Sequence, residues 1–160
     1  MKQPVILLAL CCMLFFSHTT KSQTNFEETY KKAYAFTTTN TDSALFWAQK
    51  CAKIAQTHKQ KYQAYYFLAY QANRACLFGL AQIGYKKAFK YASDSTNKYR
   101  LMNNLANTYL STGDLKKAIQ ANKLSIDYFN KTNNGAFLSY AFQSKASILR
   151  KQQNYAAIDL

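Results

Sequence analysis

Residues 105–129 read LANTYLSTGDLKKAIQANKLSIDYF. The second half of this stretch has the pattern of a helix. Leu115, Ala118, Ile119, Asn122, Ile126 and Phe129 recur at gaps of 3, 1, 3, 4 and 3, which places them on one face of a 3.6-residue period. Only Asn122 interrupts the apolar stripe. Gly113 and Asp114 stand immediately before it. Glycine adopts the left-handed conformation that ends a helix, and an Asp side chain accepts from the free N–H groups that begin one. Two helices joined by so short a turn must run antiparallel. The stretch is therefore expected to be a helical hairpin.

The same period continues outward on both sides. Thr41-Asp42 opens a similar segment carrying Ala44, Leu45, Ala48, Cys51, Ala52 and Ile54. The spacing predicts helices over 25–37, 42–58, 61–82, 84–95, 97–112, 114–131 and 135–152, with a further start at 154. Composition agrees. Pro occurs once and Gly four times in 160 residues, where average usage would give roughly eight and eleven. So few turn-makers argue against sandwiches, barrels and Gly-rich phosphate loops. The fold class expected is all-α.

Internal repetition is visible as well. Laying 74–95 over 104–125 matches Lys86-Lys87-Ala88 with Lys116-Lys117-Ala118, Leu80 with Leu110, and Ser95 with Ser125. A weaker copy 40 residues on matches Ala106 with Ala146, Tyr109 with Leu149, and Asp114 with Asn154, and residues 42–55 form another half-copy. Leu105, Ala106, Tyr109, Gly113, Asp114, Ala118 and Ser125 stand where the tetratricopeptide repeat (TPR) family places its signature residues, and the stretch resembles that family. Asn122 departs from the pattern, which has an aromatic there, and no Pro ends any repeat. The resemblance implies antiparallel hairpins stacked as a right-handed solenoid over 23–160, about four hairpins with the last truncated. The alternative is an unrelated bundle with small residues at its contacts.

Residues 1–22 differ from the rest. Lys2 precedes the unbroken apolar run Val5–Phe16, and a polar stretch with small Thr20 and Ser22 follows. Twelve apolar residues fall short of the ~20 needed to span a bilayer. This is the form of a cleaved signal peptide, cut between Ser22 and Gln23, so the mature chain is expected to be exported, to a periplasm. There Cys51 and Cys76 would be the remaining cysteines, either free and buried or joined in a disulfide across the first two hairpins.

The inventory of reactive groups is thin. After cleavage His58 is the one histidine, and Asp42, Asp94 and Asp114 lie at helix ends where capping accounts for them. HExxH, GxSxG, GxxxxGK[ST] and paired CxxC motifs are all missing. Neither catalysis nor a cofactor or metal is expected of these residues. The chain carries 21 Lys and Arg against seven Asp and Glu, a net charge of +14. The pairs Lys31-Lys32, Lys86-Lys87 and Lys116-Lys117 are placed on the outward face, with no nucleic-acid-binding motif beside them.

What the TPR resemblance implies for function is a groove lined by the first helix of each hairpin. By register it carries Arg100, Asn103 and Asn107, then Tyr70 and Asn73 in the preceding repeat and Gln143, Arg150 and Lys151 in the next. Arg100, Arg150 and Lys151 supply part of the family's carboxylate-binding set. The expected partner is a protein or an extended, acidic or C-terminal peptide, with self-association through the last hairpin as an added route. Two other expectations remain open. The chain could be the sensory N-terminal region of a histidine kinase or helix-turn-helix regulator, with a membrane segment following it. Its basic surface could also dock on anionic membrane or polysaccharide in a salt-sensitive way.

Overall fold

The computed structural model describes residues 25–158, with side chains through Gln153. The leader expected at 1–22 and its cleavage point lie outside the described residues. Seven helices follow one another without a strand among the described residues: α1 (25–35), α2 (Thr41–Ile54), α3 (His58–Arg74), α4 (Phe78–Tyr91), α5 (Ser95–Ser111), α6 (Leu115–Lys131) and α7 (Gly135–Ile158). From α2 on each helix packs on its neighbours in sequence, and α1 meets α2 through Lys32 and Trp47 and α3 through Tyr30 and Phe67. The chain is thus a stack of antiparallel hairpins, α1–α2, α3–α4 and α5–α6, with α7 laid on α6 and α5.

Local chemistry fixes the helix starts. Asn40, Thr57, Asp94 and Asp114 each accept from the backbone N–H three residues on. At Thr57 the cap is reciprocal, since the Gln60 side chain accepts in turn from the Thr57 N–H. The ends divide into two kinds. Cys76, Gly113 and Asn133 have φ of 57°, 79° and 51°. At each, the next residue's N–H reaches back to a carbonyl five residues earlier (Leu77 to Ala72, Asp114 to Tyr109, Asn134 to Phe129). After α2 and α4 the chain instead leaves through extended Ala55 and Ala92.

The core is built from small residues. Ala44, Ala48, Ala64, Ala69, Ala72, Ala81, Ala88, Ala106 and Ala118 are fully buried, and Phe26, Leu101 and Phe129 fill the larger spaces. Small side chains let helix axes approach closely. Approach is close at Gly84, where a Cβ would stand 2.8 Å from Ala69 Cβ and 3.1 Å from the Ala69 backbone. Burial of each of the large side chains contributes about 1.5–3 kcal/mol.

Two expectations are corrected here. The segment 61–82 is not one helix: α3 ends at Arg74 and α4 begins at Phe78, because Cys76 takes the left-handed conformation of a helix end. At the other end, α7 continues through Asn154 to Ile158, and the expected new start at 154 is not a break.

The repeat register also changes. Caps and turns superpose at 37 residues (Thr57 on Asp94, Cys76 on Gly113), so α3 corresponds to α5 and α4 to α6. In this register Leu68-Ala69 falls on Leu105-Ala106, Ala81 on Ala118, Gly84 on Ala121, and Ala88 on Ser125. The 30-residue overlay was displaced by seven residues, nearly two helical turns, which leaves the apolar faces in phase. From α5 to α7 the step between caps lengthens to 40 (Asp94 to Asn134), since α6 has 17 residues where α4 has 14.

Candidate functional site

The sides of α3, α5 and α7 that repeat at this register form a continuous strip. On α3, Tyr62, Tyr66 and Tyr70 follow at i, i+4 and i+8, one line along the helix. Tyr62 and Tyr66 stack at 6.1 Å, and Tyr66 meets the ring of Tyr85 edge-on at 6.3 Å. Burial pushes the hydroxyl of Tyr85 far above the usual phenol range. Burial also raises Tyr62, against the opposing charge of Arg100, and raises Tyr30 of α1, whose ring packs on Phe67.

Arg100 on α5 is the centre of the strip. Its guanidinium lies 4.8 Å from the ring centroid of Phe137 on α7 and 6.0 Å from that of Tyr66 on α3. One side chain thus spans three successive first helices. It is held there from its own helix: the Asp94 carboxylate accepts from the Asn97 N–H and side-chain amide, both at 2.7 Å, and Arg100 donates to Asn97 Oδ1 at 3.1 Å. The bond from the Asn97 backbone, with the side-chain bonds, keeps Asp94 below the usual carboxylate range.

Of the residues expected in the groove, Tyr70 is exposed on α3, and Asn107 is half-buried on α5 at the position matching Tyr70. Asn73 is half-buried one turn beyond Tyr70, and its side-chain oxygen is enclosed without a hydrogen-bond partner. Gln143, Arg150 and Lys151 are exposed on α7, with Arg150 donating to Ser147 Oγ at 3.2 Å.

Asn103 does not belong to the exposed set. It is only 8% exposed, and its side-chain oxygen accepts from Asn122 Nδ2 at 3.2 Å, while the same Asn122 amide donates to the Ala141 carbonyl at 2.8 Å. The reason is Asn122 itself: set where Tyr85 stands in the preceding hairpin, it binds α5, α6 and α7 together instead of filling space. Two participants, Tyr66 and Phe137, were not among the expected groove residues. An overlay at 37 residues would have found Tyr66, which then falls on Asn103.

Cys51 and Cys76 are free thiols. They are not positioned for a bridge: Cys51 lies one turn before the end of α2, beside the start of α3, whereas Cys76 lies past the other end of α3. That helix alone is ~25 Å long, and a disulfide needs Cα atoms within about 7 Å. Cys51 is buried, which pushes its thiol up to about 11, and Cys76 is exposed in its turn.

On the second-helix side, Lys86, Phe89, Met102, Leu105, Tyr109 and Leu124 border an apolar cleft of about 380 Å³. The ammonium groups of Lys86 and Lys117 stand 5.8 and 5.7 Å from the Tyr109 ring, and Lys117 is paired with Asp114. It includes none of the expected groove residues. Among the described residues no cluster of His, Cys, Asp and Glu could hold a metal ion, and no helix is long and apolar enough to cross a membrane. Comparison with known proteins found no matching family model, no matching curated protein and no matching solved structure.

Proposed function

We propose that the chain is an exported, non-catalytic scaffold of tetratricopeptide type that holds a protein or peptide partner along its first helices. The reading rests on one observation, the continuity of the strip from Tyr66 through Arg100 to Phe137 across α3, α5 and α7. The 37-residue register supports the family resemblance, because it gives the α3–α4 hairpin the same Leu-Ala pair as α5–α6 and small residues at the same three positions of the second helix. An extended segment crossing this strip would stack on tyrosine rings and bond its backbone to the amides of Asn107 and Gln143. Arg100 and Arg150 would meet an acidic side chain or a terminal carboxylate.

The test is an array of extended peptides, acidic, neutral and carboxy-terminal, probed with the wild-type chain and with Arg100→Gln and Asn107→Ala. Both substitutions lie at half-buried surface positions, so the helical spectrum should be unchanged. The expected result is a set of bound peptides whose affinity falls tenfold or more in Arg100→Gln. Binding that is equal in all three proteins would overturn the assignment.

A further inference from the structure

The outward stripes of α2 and α4 share one composition. Turned away from buried Ala44, Ala48 and Cys51, α2 presents Phe46, Lys50 and Lys53. Turned away from buried Ala81, Tyr85 and Ala88, α4 presents Ile83, Lys87 and Lys90. The two triplets are 37 residues apart position for position, so each takes the same outward place on the second helix of its own hairpin. Spacing of i, i+4 and i+7 keeps each on one line. Phe46 is 51% exposed and Ile83 is 54% exposed.

The surroundings reinforce the pattern. Trp47 lies edge-on to Phe46 at 5.5 Å, the Lys50 ammonium stands 4.4 Å over Phe46 and 4.6 Å over Trp47, and Lys32 of α1 stands 5.1 Å over Trp47. Between Asp42 and Asp94 the chain has eight basic residues and no acidic one. The matching line on α6 reads Gln120, Leu124 and Asp127, so the pattern stops at α4.

Cations interleaved with single half-exposed apolar side chains suit a peripheral bilayer contact. Lysines are drawn to an anionic headgroup surface, the apolar tips enter the boundary with the acyl chains, and an indole settles at the same depth. A soluble polyanion would engage the lysines and leave Phe46 and Ile83 facing water. We propose that the outer face of α2 and α4 docks on a bilayer containing anionic lipid. The face belongs to other helices than the Tyr66–Arg100–Phe137 strip, so it stands or falls separately from the peptide reading.

Trp47 is the one tryptophan of the chain and reports on this contact directly. The full chain is titrated with vesicles of phosphatidylcholine alone and of phosphatidylcholine mixed with phosphatidylglycerol, following Trp47 emission and co-sedimentation. A blue shift on the mixed vesicles, reversed by salt, is expected. Lys50→Gln with Lys87→Gln should weaken that binding about 25-fold, at roughly fivefold per lysine. Phe46→Ser with Ile83→Ser should weaken it as well while leaving retention on heparin unchanged. All four positions are exposed, and circular dichroism checks that the variants are folded. Three results would overturn the proposal. Equal binding to neutral vesicles would assign it to the apolar run at 5–16. Co-sedimentation without a Trp47 shift would assign it to another face. Loss of binding in the lysine variant alone would mark a site for soluble polyanions.

Discussion

At the scale of single residues, the most informative position is Cys76. Its φ of 57° is a conformation that costs an L residue about 1–2 kcal/mol and glycine almost nothing. Gly113 holds the equivalent place one repeat later. Cys76→Gly should therefore raise stability by about 1 kcal/mol in urea melts, whereas Cys76→Ala should leave it unchanged. A gain in both variants would locate the effect in the thiol and not in the backbone. Asn122 carries a second lesson of this kind. From sequence it reads as a flaw in an apolar stripe, and in the fold it is a buried amide satisfied by Asn103 and Ala141. A side chain that looks wrong for its stripe can be right for a partner 19 residues away.

At the scale of helices, the α3–α4 contact is decided by Gly84 and Ala69. Gly84→Ala would gain about 1 kcal/mol of helix propensity. However, the new Cβ meets the Ala69 backbone at 3.1 Å, and backbone can yield only if the helices separate. The expected net effect is a loss of about 1–3 kcal/mol, with part of it restored by adding Ala69→Gly. A chemical denaturation midpoint unchanged in the single variant would contradict this geometry. The helices themselves were legible: apolar spacing and the caps at Asp114 and near Asp42 placed most elements within a few residues. The period was not. A seven-residue slip barely rotates a helix face, so the match of Lys86-Lys87-Ala88 with Lys116-Lys117-Ala118 looks sound at the level of stripes. Turns fix the true register, and the decisive one is written with Cys76, a residue that carries no turn signal. The strip around Arg100 was half-legible for the same reason. Arg100, Tyr70 and Asn107 follow from the α5 pattern, but Tyr66 needs the correct overlay, and the burial of Asn103 depends on a partner from another helix.

At the scale of the whole chain, buried phenols set the alkaline limit. Tyr30, Tyr62 and Tyr85 all have raised pKa values with burial as the leading cause. Their neutral forms are favoured in the folded state. That contribution is fully present below the unfolded value of 10.0 and is lost as pH rises through the folded values. Thermal melts should thus hold steady up to about pH 10 and fall beyond it, with tyrosinate absorbance appearing together with the loss of helix. Smooth ionisation of every tyrosine near pH 10 in a chain that stays folded would contradict the burial of these rings. The largely nearest-neighbour packing of the helices has a consequence in time. Most contacts join segments adjacent along the chain, so little loop entropy must be spent before any pair is rewarded. Folding can begin at whichever hairpin forms first, with α3–α4 well placed because Gly84 lets its helices approach closely, and then spread pair by pair. Opening proceeds pair by pair in the same way, so that loosening α7 from α6 need not disturb the face that α2 and α4 present.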